Sequence, residues 1–129
     1  MKINVKVLYL ILFFGFYDTV GEVRNLEDSL RVVLSKKMDD TSKVLLLEQI
    51  SKNLWNSDLE NALKYANQGL ELAEEISFKK GKSRCLNRIG AIHSRMGNHQ
   101  KGLVVLFEAL ALAKEIDDDE GLARANINL

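Results

Sequence analysis

The sequence predicts an all-α protein: antiparallel helix–turn–helix repeats stacked as a short right-handed α-solenoid. One stretch returns forty residues on. Residues 62–76 read ALKYANQGLELAEEI and residues 102–116 read GLVVLFEALALAKEI. Leu63/Leu103, Leu70/Leu110, Leu72/Leu112, Ala73/Ala113, Glu75/Glu115 and Ile76/Ile116 are identical. A fixed period of this size marks repeats that bury their apolar faces only against their neighbours. Apolar residues also recur at helical spacing through most of the chain. Proline is absent from all 129 residues, so no ring interrupts a helix. Such an architecture displays a surface.

The elements follow in order. Met1–Lys6 carries Lys2 and Lys6 and precedes the apolar run Val7–Tyr17, VLYLILFFGFY. A basic start before a short apolar run is the pattern of a secretory signal peptide. The run is shorter than the roughly 20 residues of a membrane span. Thr19 and Gly21 are small enough for cleavage after Gly21, whereas Asp18 and the branched Val20 depart from the pattern. Residues 1–21 therefore read as a signal peptide or N-terminal anchor. The alternative is a first helix with an unusually apolar face. Export, to a periplasmic or membrane-associated location, follows from the first reading and a cytoplasmic location from the second. Residues 22–40 are expected to hold a leading amphipathic helix, with Leu26, Leu30, Val33 and Leu34 on one face.

Met38–Ser42 (MDDTS) supplies Asp, Thr and Ser as N-cap candidates. A helix over about 43–56 then presents Leu46, Leu47, Ile50 and Leu54. Ser57-Asp58-Leu59-Glu60 has the spacing of a capping box between Ser57 and Glu60. The helix it starts, about 58–78, carries the seam Ala62, Ala66, Gly69, Ala73, Ile76. Small residues at 4-3-4-3 spacing let two helices approach closely, which is a reason to tolerate Gly69 despite its propensity cost of up to about 1 kcal/mol. A turn containing Lys79-Lys80-Gly81 leads to a helix over about 82–96 with the stripe Leu86, Ile89, His93, Met96. Gly97-Asn98 predicts a helix end and a new cap. The helix over about 99–117 repeats the seam as Gly102, Leu106, Ala109, Ala113, Ile116. Asp117–Glu120 separates it from GLARANINL, which starts as Gly81 onward does. The repeats are thus 41–80, 81–120 and a truncated third, 121–129. A repeat array that stops inside a helix is expected to be a fragment or the product of a truncated gene. It is also expected to be marginally stable or to self-associate through its incomplete ends.

Composition excludes several classes. Eighteen basic residues balance eighteen acidic ones, so no basic field for nucleic acid arises. The single cysteine, Cys85, makes no internal disulfide. No cysteine stands just after the apolar run to carry a lipid anchor.

Ile89-Gly90, His93, Gly97, Gly102 and Ala109 resemble the tetratricopeptide repeat, as do Ala62, Leu63, Tyr65, Gly69, Leu70 and Leu72 in the preceding copy. The family pattern has a large–small pair, an aromatic residue, a turn glycine, and small residues where the second helix packs. His93 stands where Tyr is usual and Gly102 where Ala is usual. The first helix of the preceding copy fits only after a one-residue slip, because Ile50 to Ala62 is twelve residues and Ile89 to Gly102 thirteen. Ser51 then replaces the small glycine. The period of forty is longer than the common 34, and the usual proline is missing. This long form, with a signal-like start and Asp40–Val44 reading DTSKV, is similar to N-terminal sensor regions of some bacterial two-component histidine kinases and related regulators.

Chemistry-bearing constellations are weak. His93 and His99 lie on different faces, and no Cys or carboxylate completes a metal site with them; packing is expected for His93 and solvent for His99. Cys85 has no histidine partner and is expected to pack. Asp117–Glu120 lacks the alternating ligands and glycine of a calcium loop and reads as a solvated, helix-capping turn. No phosphate-cradling loop or nucleophile motif occurs. Trp55 reads as packed near a helix end or as an exposed anchor. Arg84, Asn87, Arg88 and Arg95 share the helix type that lines the inner groove in the resembled family, and Arg124 repeats Arg84. Some family members hold a peptide's terminal carboxylate with such residues, although Ala91 occupies a place where that clamp needs a polar side chain; the alternative for this set is a solvated charged face. The expected function is a non-catalytic scaffold for a protein or peptide partner, with no cofactor, metal, nucleic acid or small-molecule substrate. The alternative is an extracytoplasmic sensor fragment of a two-component kinase or related transcriptional regulator.

Overall fold

The computed structural model describes residues 39–129; the expected signal-like segment, and the leading helix expected in residues 22–40 up to residue 38, lie outside them. Five α-helices follow: α1 (Asp40–Leu54), α2 (Leu59–Glu75), α3 (Lys79–Arg95), α4 (His99–Glu115) and α5 (Asp119–Asn128). Each packs against the next, and turns this short make neighbours antiparallel. In addition α1 meets α3 and α3 meets α5. The odd helices therefore form one continuous layer of a helical-repeat stack, with α2 and α4 behind it. Among the described residues there is no strand, and no helix is long and apolar enough to cross a membrane.

The repeat is sharper in the turns than in the side chains. The capping positions Asp58, Phe78, Asn98 and Asp118 fall every twenty residues. After α2, α3 and α4 the chain passes through a left-handed residue: Ser77 (φ 57°), Gly97 (φ 85°) and Asp117 (φ 52°). In each turn the next amide reaches back five residues, Phe78 to the Ala73 carbonyl, Asn98 to His93 and Asp118 to Ala113, at 2.8, 2.8 and 2.9 Å. This is a Schellman end, which satisfies carbonyls the helix leaves unpaired. The α1–α2 turn differs. Asp39 to Asp58 spans nineteen residues, and Asp58 N–H bonds the Leu54 carbonyl instead, at 2.9 Å. That missing residue is the slip visible in the sequence. Replacing Ser77 by Gly should raise stability by about 0.5 kcal/mol, because Gly adopts positive φ without a Cβ penalty; a lower urea midpoint would contradict this.

Several local expectations are corrected. Asp58, not Ser57, caps α2: its carboxylate accepts from Asn61 N–H at 3.0 Å and from the Asn61 side-chain amide at 2.6 Å. These bonds lower its pKa. Ser57 Oγ bonds the Leu54 carbonyl instead, because the shorter turn places Asp58 at the helix start. Asp39 caps α1, so Asp40 belongs to α1 rather than to the leading helix; the hydroxyls of Thr41 and Ser42 and the Ser42 amide hold the Asp39 carboxyl well below the usual range. Lys79-Lys80-Gly81 is the first turn of α3, not a loop. Gly81 is needed there for space, since a Cβ would collide with the Phe78 ring and lie 2.7 Å from Val44 Cγ1. Asn98 makes no side-chain cap.

The core has two parts. Ala62, Ala66, Ile89 and Ile92 pack with Leu54, Trp55, Leu59, Leu63, Leu70 and Val105. Val44, Ala73 and Cys85 pack with Leu70, Leu72, Ile76 and Phe78. Small seam residues bring the backbones close, and a Cβ on Gly69 would lie 2.9 Å from Cys85 Sγ. Burial pushes the Cys85 thiol up to about 12, so it fills space as a neutral group. The outer face of α4 is different. Val104 and Phe107 are 69% and 58% exposed, where α2 carries Lys64 and Asn67. His93 is buried and its Nδ1 has no partner; burial, then the charge of Lys101, lowers its pKa. The unfolded chain therefore binds the proton more readily. Stability should be full above about pH 6.5 and decline as pH falls through that value. His93→Tyr should flatten the urea midpoint between pH 7.5 and 5.5; an unchanged slope would exclude His93 as its source.

Candidate functional site

Stacking at a forty-residue period places residues about forty apart side by side on adjacent odd helices. Four of the five predicted residues meet in this way. Arg84, Asn87 and Arg88 on α3 and Arg124 on α5 line one open cleft of about 130 Å³, together with Ile127 and Asn128. Arg95 does not join them. It sits at the far end of α3, with its guanidinium 4.8 Å from the centre of the Trp55 ring and Nη1 3.2 Å from Asn56 Oδ1. Trp55 is half-buried against the core and is covered on one face by this cation, a contact worth about 0.5–1 kcal/mol at such a site.

The cleft arginines are not bare. Arg88 donates from Nη2 and Nε to one oxygen of Glu48 on α1, at 2.6 and 3.2 Å. Glu48 is only 6% exposed and Arg88 17%, so this pair lies in poorly screened surroundings. Arg124 Nη1 lies 4.0 Å from the same Glu48 oxygen. Arg124 Nη2 donates to Glu120 at 2.6 Å, and Arg84 Nη2 reaches both oxygens of Glu120 at 3.3 and 3.2 Å. The result is an alternating chain, Arg88–Glu48–Arg124–Glu120–Arg84, across three helices. Arg124, through its hydrogen bond and then its charge, and Arg84 hold the Glu120 carboxyl below the usual range. Asn128 Nδ2 donates to Asn87 Oδ1 at 2.7 Å. Three guanidinium groups face two carboxylates, so the cluster keeps one net positive charge.

Glu48, Glu120, Ile127 and Asn128 were not identified from the sequence. For Glu48 and Asn128 the signal was opposite charge or a matching amide near the repeat separation: Glu48 and Arg88 are 40 apart, Asn87 and Asn128 41. Glu120, 36 from Arg84, and Ile127 carried no such signal. Among the described residues, no group of three or more His, Cys, Asp or Glu is placed to hold a metal. His99 is exposed and distant in kind from buried His93. Of the acidic run, Asp118 is buried beside Lys80 at 3.5 Å and Glu120 serves the cleft. No protein-family model matches the sequence, and no curated protein matches it.

Proposed function

We propose that the chain is a non-catalytic scaffold of the tetratricopeptide-repeat type that binds a protein or peptide partner. The observation that supports this reading is the cationic cleft on the odd-helix layer. It is lined by side chains of α3 and α5, with Glu48 of α1 paired behind Arg88, has an exposed apolar rim at Ile127, and carries net positive charge. Arginine in such a place offers planar, multi-donor recognition of an anionic group. Arg95 is assigned to packing with Trp55 and leaves the contact set.

The test is selection of binders from a random peptide library by the full chain, followed by Arg84→Glu with Arg124→Glu. Arg88 is left intact because it neutralises buried Glu48. Selected peptides should lose at least tenfold in affinity (about 1.4 kcal/mol) while far-ultraviolet circular dichroism stays unchanged. Selected peptides that bind the double variant equally well would remove the cleft from the proposal.

A further inference from the structure

The internal ion pairs of the cleft indicate which anion fits it. Glu120 is 51% exposed and reaches the arginines from the first turn of α5, so its carboxylate can rotate into solvent. Glu48 cannot, being buried under Arg88. With Glu120 turned out, Arg84, Arg88 and Arg124 face Glu48 alone, and the site carries two positive charges. A ligand carboxylate entering there only replaces one carboxylate by another. It recovers the three hydrogen bonds that Glu120 already accepts from Arg84 and Arg124 and adds the entropic cost of association. A phosphate monoester carries about −1.5 to −2 charges at neutral pH and three acceptor oxygens. It can take the donors of Arg84 and Arg124 and still offer an oxygen to Arg88 or Asn128, which a carboxylate in the Glu120 position cannot.

We infer that the cleft is a site for a phosphate dianion, with Glu120 as its built-in competitor, and that a phosphorylated side chain on the peptide partner supplies it. This rests on the scaffold reading above and names the group recognised. Exposed Ile127 beside the arginines provides apolar contact for a residue flanking the phosphate.

The experiment is fluorescence anisotropy of the full chain with a labelled peptide containing one phosphoserine next to leucine. Its serine and glutamate twins are measured alongside, with inorganic phosphate as competitor. The phosphopeptide should bind about tenfold or more tightly than the glutamate twin. Glu120→Gln should strengthen phosphopeptide binding severalfold. Arg84→Gln with Arg124→Gln should reduce it to the level of the serine twin. Inorganic phosphate that competes only at concentrations far above the phosphopeptide's own dissociation constant assigns the site to a phosphorylated chain. Equal potency also supports a dianion site and assigns it to the free ion. A glutamate twin that binds as tightly as the phosphopeptide would overturn the inference while leaving the scaffold reading standing, and so would unchanged affinity in Glu120→Gln. Failure of the phosphopeptide to bind at all overturns the inference; the scaffold reading falls with it only if library selection also yields nothing that depends on the cleft arginines.

Discussion

Arg88→Leu should lower the unfolding free energy by about 3 kcal/mol, read as a drop in urea midpoint. The reason is the fate of Glu48. Removing one member of a poorly solvated pair leaves the other charged and without its principal partner, which costs about 3–5 kcal/mol in fully buried cases. Arg88 keeps 17% exposure and Arg124 stands 4.0 Å away, so the lower end applies. Glu48→Met with Arg88→Leu should recover most of the loss, because two apolar side chains of similar size remove both the pairing and the desolvation penalty. If Arg88→Leu is neutral, the pair is solvated and the ion chain does not tie α1 to α3. If the double variant is as unstable as the single one, the loss comes from packing of the arginine stem rather than from the stranded carboxylate.

Gly102→Ala should destabilise by about 1–3 kcal/mol, in opposition to its helix propensity. Propensity alone favours Ala over Gly by up to about 1 kcal/mol within a helix. Packing reverses the sign. A Cβ at Gly102 would lie 2.9 Å from the Gly90 carbonyl oxygen and would collide with Ser94 Oγ. The first obstacle is backbone, which moves only if α3 and α4 separate, and overpacking of this kind typically costs about 1–3 kcal/mol. Gly90 faces the same limit, since a Cβ there would lie 2.6 Å from Leu106 Cγ and 3.1 Å from the Gly102 carbonyl oxygen. Thermal or urea denaturation of Gly102→Ala decides the matter. A gain in stability would show that the two helices have slack at this crossing.

The forty-residue echo and the small-residue seams made the helices and their pairing legible, because apolar periodicity directly records which face of each helix is covered. Ala62, Ala66, Gly69, Ala73 and Ile76 were predicted as the seam of α2; the first four are buried, and Ile76, which caps the helix end, is half-buried. The left-handed conformation in the turns was legible only at Gly97, where the residue type announces positive φ. Ser77 and Asp117 adopt the same conformation without that signature, since the Schellman hydrogen bonds impose it. Gly81 misled for the converse reason: it is a glycine kept for interhelical space beside Phe78 and Val44, not for a turn.

The sequence by itself determined that the chain is helical, repeats every forty residues, and sets arginines on one face of α3. Local periodicity and propensity are sufficient for that, because they act within a helix. Only the tertiary structure decided that Arg95 leaves the group to cover Trp55. It also decided that Glu48 and Glu120 neutralise most of the charge. Those outcomes depend on the separation of α1, α3 and α5 across the stack. A difference of an ångström or two there decides whether a guanidinium meets a carboxylate or water.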